Sequence, residues 1–141
     1  MTRIDFHSNV GDKIAYACRL VRKARAADFR IVLMVQDAAQ LAQLDDALWR
    51  FSELDFLPHV DAQDRLAART PIVLTHDDEA DLPHHQILIN LTPATPTQFA
   101  RFERMFEIVS GEAGETQAGR ERFQFYKQRG YALTHFEAEK K

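Results

Sequence analysis

Apolar residues along this chain follow two periods, every second position or every third to fourth. Arg3–Ser8 (RIDFHS) alternates apolar and polar residues and reads as a first strand. A turn, NVGDK, follows. From Lys13 to Asp28 the period becomes helical: Ile14, Ala17, Cys18, Val21 and Ala24 share one stripe, and Arg19, Arg22 and Lys23 fall largely outside it. Phe29–Val35 (FRIVLMV) is a near-continuous aliphatic run, the pattern of a strand buried on both faces in a parallel sheet. Asp37 is placed to cap a second helix running to about Arg50, with Leu41, Leu44 and Leu48 pointing one way.

Beyond Pro58, Asp61–Arg69 is polar. Pro71–His76 (PIVLTH), Gln86–Leu91 (QILINL) and Arg104–Ser110 (RMFEIVS) read as further strands, with a short helical turn expected after TPATPTQ. Thr116–Arg129 predicts a last helix with Gly130 as its stop. The tail YALTHFEAEKK carries no clear pattern. Strands alternating with helices predict an α/β fold, a doubly wound, mostly parallel sheet with helices on both faces, in a single domain over residues 1–141.

Composition narrows the function classes. The hydrophobic fraction is 45%, enough for a real core without staples, and the net charge of -3 argues against tight direct DNA binding, though not against a local basic patch. The single cysteine, Cys18, excludes a disulfide within the chain and reads as a small buried hydrophobe. No signal-peptide pattern and no apolar run near the ~20 residues of a membrane span is present, so a cytoplasmic protein without membrane contact is expected.

The residues bear on three kinds of chemistry. The first strand–helix turn, His7–Lys13, holds one glycine, Gly11, and lacks the glycines and the Gly-Lys-Ser/Thr ending that cradle phosphates; a degenerate nucleotide-binding regulator remains an alternative there. His76, Asp77, Asp78, Asp81, His84 and His85 are competent ligands for a metal-dependent hydrolase, against the plainer reading of a solvated acidic loop. Adjacent His84 and His85 cannot share one site on an extended backbone. Ser8, Ser52 and Ser110 lack any supporting nucleophile motif, and His7, His59 and His135 read as structural or exposed.

The last helix carries more information. Arg120, Gln124 and Lys127, at i, i+4 and i+7, lie on one face at about 100° per residue; Thr116 shares that face and Phe123 borders it. Aligned cations beside an aromatic suit an acidic, aromatic-ended peptide, and a solvated charged face is the rival reading. Arg122 and Arg129 fall near the opposite side.

The stretch LDDALWRFSELDFLPH (Leu44–His59) resembles the corresponding segment of the chi subunit of bacterial DNA polymerase III. PIVLT, QILINL with FARFERMFEIVS, and GRERFQFYKQRGY resemble the same family in the same order. The resemblance implies a non-enzymatic replisome accessory protein without a cofactor, nucleoid-associated through its partners. It implies two partner surfaces. Arg120, Phe123 and Lys127, with Gln124 in place of a further basic residue, match the site for the acidic, Phe-ended tail of single-stranded DNA-binding protein. Thr116 also replaces a basic residue, so the site is less positive, and Arg122 is a candidate to compensate. Trp49, Phe56 and Pro58 match the surface for the psi subunit, which joins the clamp loader; an XPD-like helicase uses that surface in some members.

Overall fold

A computed structural model describes residues 1–51 and 57–138. The elements run in the order β1 (Arg3–Val10), α1 (Lys13–Ala26), β2 (Ile31–Met34), α2 (Ala38–Phe51), β3 (His59–Asp61), β4 (Ile72–Thr75), β5 (Ile87–Asn90), β6 (Arg104–Ser110), α3 (Ala113–Gln128) and β7 (Ala132–Glu137). Short 3-10 turns at Ala67–Arg69 and Phe99–Arg101 complete the set. The strands form one seven-stranded sheet in the order β3-β4-β2-β5-β6-β1-β7. Every neighbouring pair is parallel, so the sheet is wholly and not just mostly parallel.

Alternation of side chains across each strand builds two cores. Ile31, Leu33, Ile72, Leu74, Ile87, Ile89, Phe106 and Ile108 face one way and pack under Ala17, Cys18 and Val21 of α1 and Leu44 and Leu48 of α2. Val32, Met34, Val73, Leu88, Met105 and Val109 face the other way, with Ile4 and Phe6 of β1, and pack under Tyr126 of α3. Helices therefore cover both faces. Leu44 and Leu48 are fully buried, each contributing roughly 1.5–3 kcal/mol of transfer free energy, and Leu41 packs against them only partly buried.

The helix starts are capped by side chains. Asp12 accepts from the Ala15 amide at 3.1 Å and Asp37 from the Gln40 amide at 2.8 Å. Glu112 accepts from the Gly114 and Glu115 amides, so α3 begins before the expected Thr116. Gly130, at φ 80, supplies the left-handed residue that stops α3.

Two strands were not legible in the sequence, β3 and β7, and both are edges of the sheet. An edge strand keeps one side unpaired and half its side chains wet, so its apolar signal is weak. In β7 no residue is fully buried.

The α3 core contains a polar network. Glu107 of β6 is fully buried; its Oε1 accepts from Arg122 Nε at 3.1 Å and Asn90 Nδ2 at 2.9 Å, and its Oε2 accepts from the Tyr126 hydroxyl at 2.5 Å. Burial pushes the Glu107 carboxyl above its usual range, with Arg122 opposing, and burial beside Glu107 raises Tyr126.

Candidate functional site

The end of the sheet that carries β1 and β7 holds a cleft of about 570 Å³ between α3 and the strands. Thr116, Gly119, Arg120, Phe123 and Gln124 form its helical wall; Phe6 and Val109 form an apolar floor; Ser8, His135 and Glu137 form the far rim. Spacing along α3 explains the wall: residues at i, i+3, i+4, i+7 and i+8 share a face. Gly119 explains the fit. A Cβ there would meet both Val109 methyl groups at 3.1 Å, so glycine lets α3 lie close on β6.

Phe123 is partly buried, with its ring edge-on to Phe6 at 5.2 Å. Arg120 and Gln124 are exposed on the helix above it. Across the opening, the Ser8 hydroxyl and His135 Nε2 lie 2.6 Å apart. The cleft thus joins one cation to an apolar floor, with the Glu137 carboxylate on the opposite rim. Lys127, one turn beyond on the exposed side of α3, is not part of its lining.

Arg122 cannot serve as a compensating cation. It is buried at 5% exposure, its Nη2 lies 3.1 Å from Glu107 Oε1, and its Nη1 donates to the Pro93 carbonyl at 2.8 Å. The signal for this was present: a glutamate inside the apolar strand RMFEIVS demands a buried donor. Arg129, further along, sits 3.7 Å over the Phe125 ring.

The second surface lies around β3, at the opposite edge of the sheet. Six strand spacings separate β3 from β7, roughly 29 Å at ~4.8 Å per spacing. Trp49 is 51% exposed at the end of α2, with its ring 4.6 Å from that of His59. His59 is buried, donates from Nδ1 to the Leu57 carbonyl at 2.7 Å, and places Nε2 3.2 Å from Asp45. Pro58 is partly buried beside them, and Phe56 lies outside the described residues.

Side chains of the His76–His85 loop serve the backbone around them. Asp77 accepts from the Glu79 amide at 2.9 Å and Asp78 from the Thr97 amide at 3.0 Å; His84 is buried and donates to the Thr70 carbonyl at 2.6 Å. Among the described residues, no group of three or more His, Cys, Asp or Glu is gathered to hold a metal ion. At the first turn, Lys13 donates to the Leu91 carbonyl at 2.7 Å and pairs with Glu115 at 2.8 Å. Among the described residues, no helix is long and apolar enough to cross a membrane.

Comparison with known proteins follows the same lines. Residues 1–134 match the family model described as DNA polymerase III chi subunit, HolC. A Pseudomonas aeruginosa protein named DNA polymerase III subunit chi is 35% identical over 137 residues, 94% of each chain. Proteins of the same name from Haemophilus influenzae and Escherichia coli are 26% and 24% identical, over 84% and 82% of this chain and 82% and 79% of their own.

Proposed function

The chain belongs to the DNA polymerase III chi subunit family, an accessory component of the replicative polymerase, and on that premise we propose that it bridges the clamp loader to single-stranded DNA-binding protein. The tail of that protein, acidic and ended by Phe, is held in the cleft beneath α3. The observation that carries this reading is the union of Arg120 with the Phe6–Phe123–Val109 floor in one opening. Arg120 pairs with a tail carboxylate, bidentately where geometry allows, and the floor takes the terminal aromatic ring. Gln124 offers an amide donor. Lys127, outside the cleft, acts at longer range on the acidic residues that precede the terminus, a contribution that salt screens within about 10 Å at ~0.1 M.

The clamp-loader contact falls at the other edge of the sheet. Trp49 is the anchor for a psi-like subunit or an XPD-like helicase, with Pro58, and with Phe56 assigned to the same contact by the family resemblance alone. A half-exposed tryptophan at the margin of a well-packed helix is the kind of residue that dominates interface energetics. Separation of the two surfaces permits both partners at once.

The experiment is a pull-down of the organism's own single-stranded DNA-binding protein, intact and lacking its last residues. Capture of the intact form alone supports the tail reading; equal capture of both forms overturns it.

A further inference from the structure

A second cleft, of about 440 Å³, opens on the other face of the same end of the sheet, between α1 and strands β6, β1 and β7. Its chemistry differs from that of the first. Helix α1 contains Lys13, Arg19, Arg22, Lys23 and Arg25 and no acidic residue, in a chain whose net charge is -3. Lys23 lines the cleft; Arg19, one turn earlier, sits 5.4 Å over the ring of Tyr16, another lining residue. Arg104 enters from the sheet side, 4.8 Å over the Phe106 ring. The acid at the bottom, Asp5, is buried and already answered by Arg104 at 2.6 and 2.8 Å and by the Thr134 hydroxyl.

Aromatic rings line the same cleft. Phe136 is 51% exposed and lies nearly parallel on the His7 ring, with centroids 5.2 Å apart and planes at 27°. Phe29, 36% exposed, stands on the α1 side of the same cleft. His7 is 7% exposed; its Nδ1 meets the Tyr16 hydroxyl at 2.5 Å, and its Nε2 has no hydrogen-bond partner.

We propose that this cleft is a contact site for single-stranded nucleic acid, with bases stacked on Phe136 and Phe29 and phosphates met by Lys23 and Arg19. A positively charged groove with flat aromatic platforms is how proteins track single strands without reading sequence. Cations alone would serve an acidic peptide equally well. The rings favour nucleic acid, because Phe136 is backed by His7 and presents a flat, wet face to a planar partner. The net charge of -3 keeps the affinity modest, so the contact adds to partner-mediated attachment instead of replacing it. The inference does not depend on where the protein tail binds.

The test is fluorescence anisotropy of a labelled oligothymidylate of about 16 nucleotides, titrated at low salt with the full chain. The expected result is binding that exceeds binding to a duplex of equal length. Phe136→Ala weakens it about tenfold through lost stacking. Lys23→Gln reduces the slope of log affinity against log salt by about 0.7. Both side chains reach solvent, so both variants should keep the parent's thermal midpoint. No binding, equal duplex binding, or indifference to both substitutions overturns the proposal. So does displacement of the oligonucleotide by an equal concentration of polyglutamate, which would make the cleft an acidic-peptide site.

Discussion

Arg120 and Arg122 lie two residues apart on α3, yet substituting them should have unrelated consequences. Arg122→Ala removes the guanidinium from a fully buried Glu107 and leaves the carboxylate with the Asn90 amide and the Tyr126 hydroxyl as its remaining donors. It also strips the Pro93 carbonyl of a 2.8 Å hydrogen bond. Breaking a buried ion pair from one side costs about 3–5 kcal/mol. Against a total stability of about 5–15 kcal/mol, that is a large fraction, and the thermal midpoint should fall by roughly 10 °C or more. Urea unfolding followed by circular dichroism measures it.

The pH dependence follows from the sign of the shift. Glu107 has a raised native pKa, so between the ordinary carboxylate value and that raised value the folded state holds more protons than the unfolded one. Its contribution to stability is therefore most favourable below the window and is lost as pH rises through it. Arg122 pulls Glu107 downward, and its removal widens the window. The gap between parent and variant should be larger at pH 8 than at pH 5. Glu107→Gln placed in the Arg122→Ala background should recover part of the loss at pH 8. A loss under about 1 kcal/mol, the range of exposed pairs, or a gap that widens on acidification, would refute the reasoning.

Two further outcomes follow from burial. Cys18 is 1% exposed and burial pushes its thiol to about 11, so at pH 8 it stays protonated and should resist alkylation until urea unfolds the chain, as a thiol titration in both states would show. Trp49→Ala, at a half-exposed position, should change stability by only about 1 kcal/mol but weaken capture of a psi-like partner by about 2 kcal/mol or more, measured by calorimetry with that subunit.

The interior of the fold was legible because it is written in continuous aliphatic runs. IVLM, IVLT and ILIN become β2, β4 and β5, each buried on both sides. The edges were not, since HVD and ALTHFE mix wet and dry positions without a dominant period. The helical half of the cleft was equally legible: the spacing of Thr116, Arg120 and Gln124 is local. Its floor and rim were not. Phe6, Val109 and His135 reach it from three strands that are neighbours only in space. Arg122 shows the same limit from the other side. Periodicity placed it away from Arg120, but only the packing of α3 on β6 shows that its charge belongs to Glu107.

Titration of a synthetic acidic, Phe-ended tail peptide against the parent and Arg120→Ala, with circular dichroism confirming equal folding, decides whether the α3 cleft is the capture site. Loss of one charge-assisted hydrogen bond should cost about 1.5–3 kcal/mol, roughly a tenfold to hundredfold weaker dissociation constant. An unchanged constant in a folded Arg120→Ala protein would remove Arg120, and with it the cleft, from the binding of the tail.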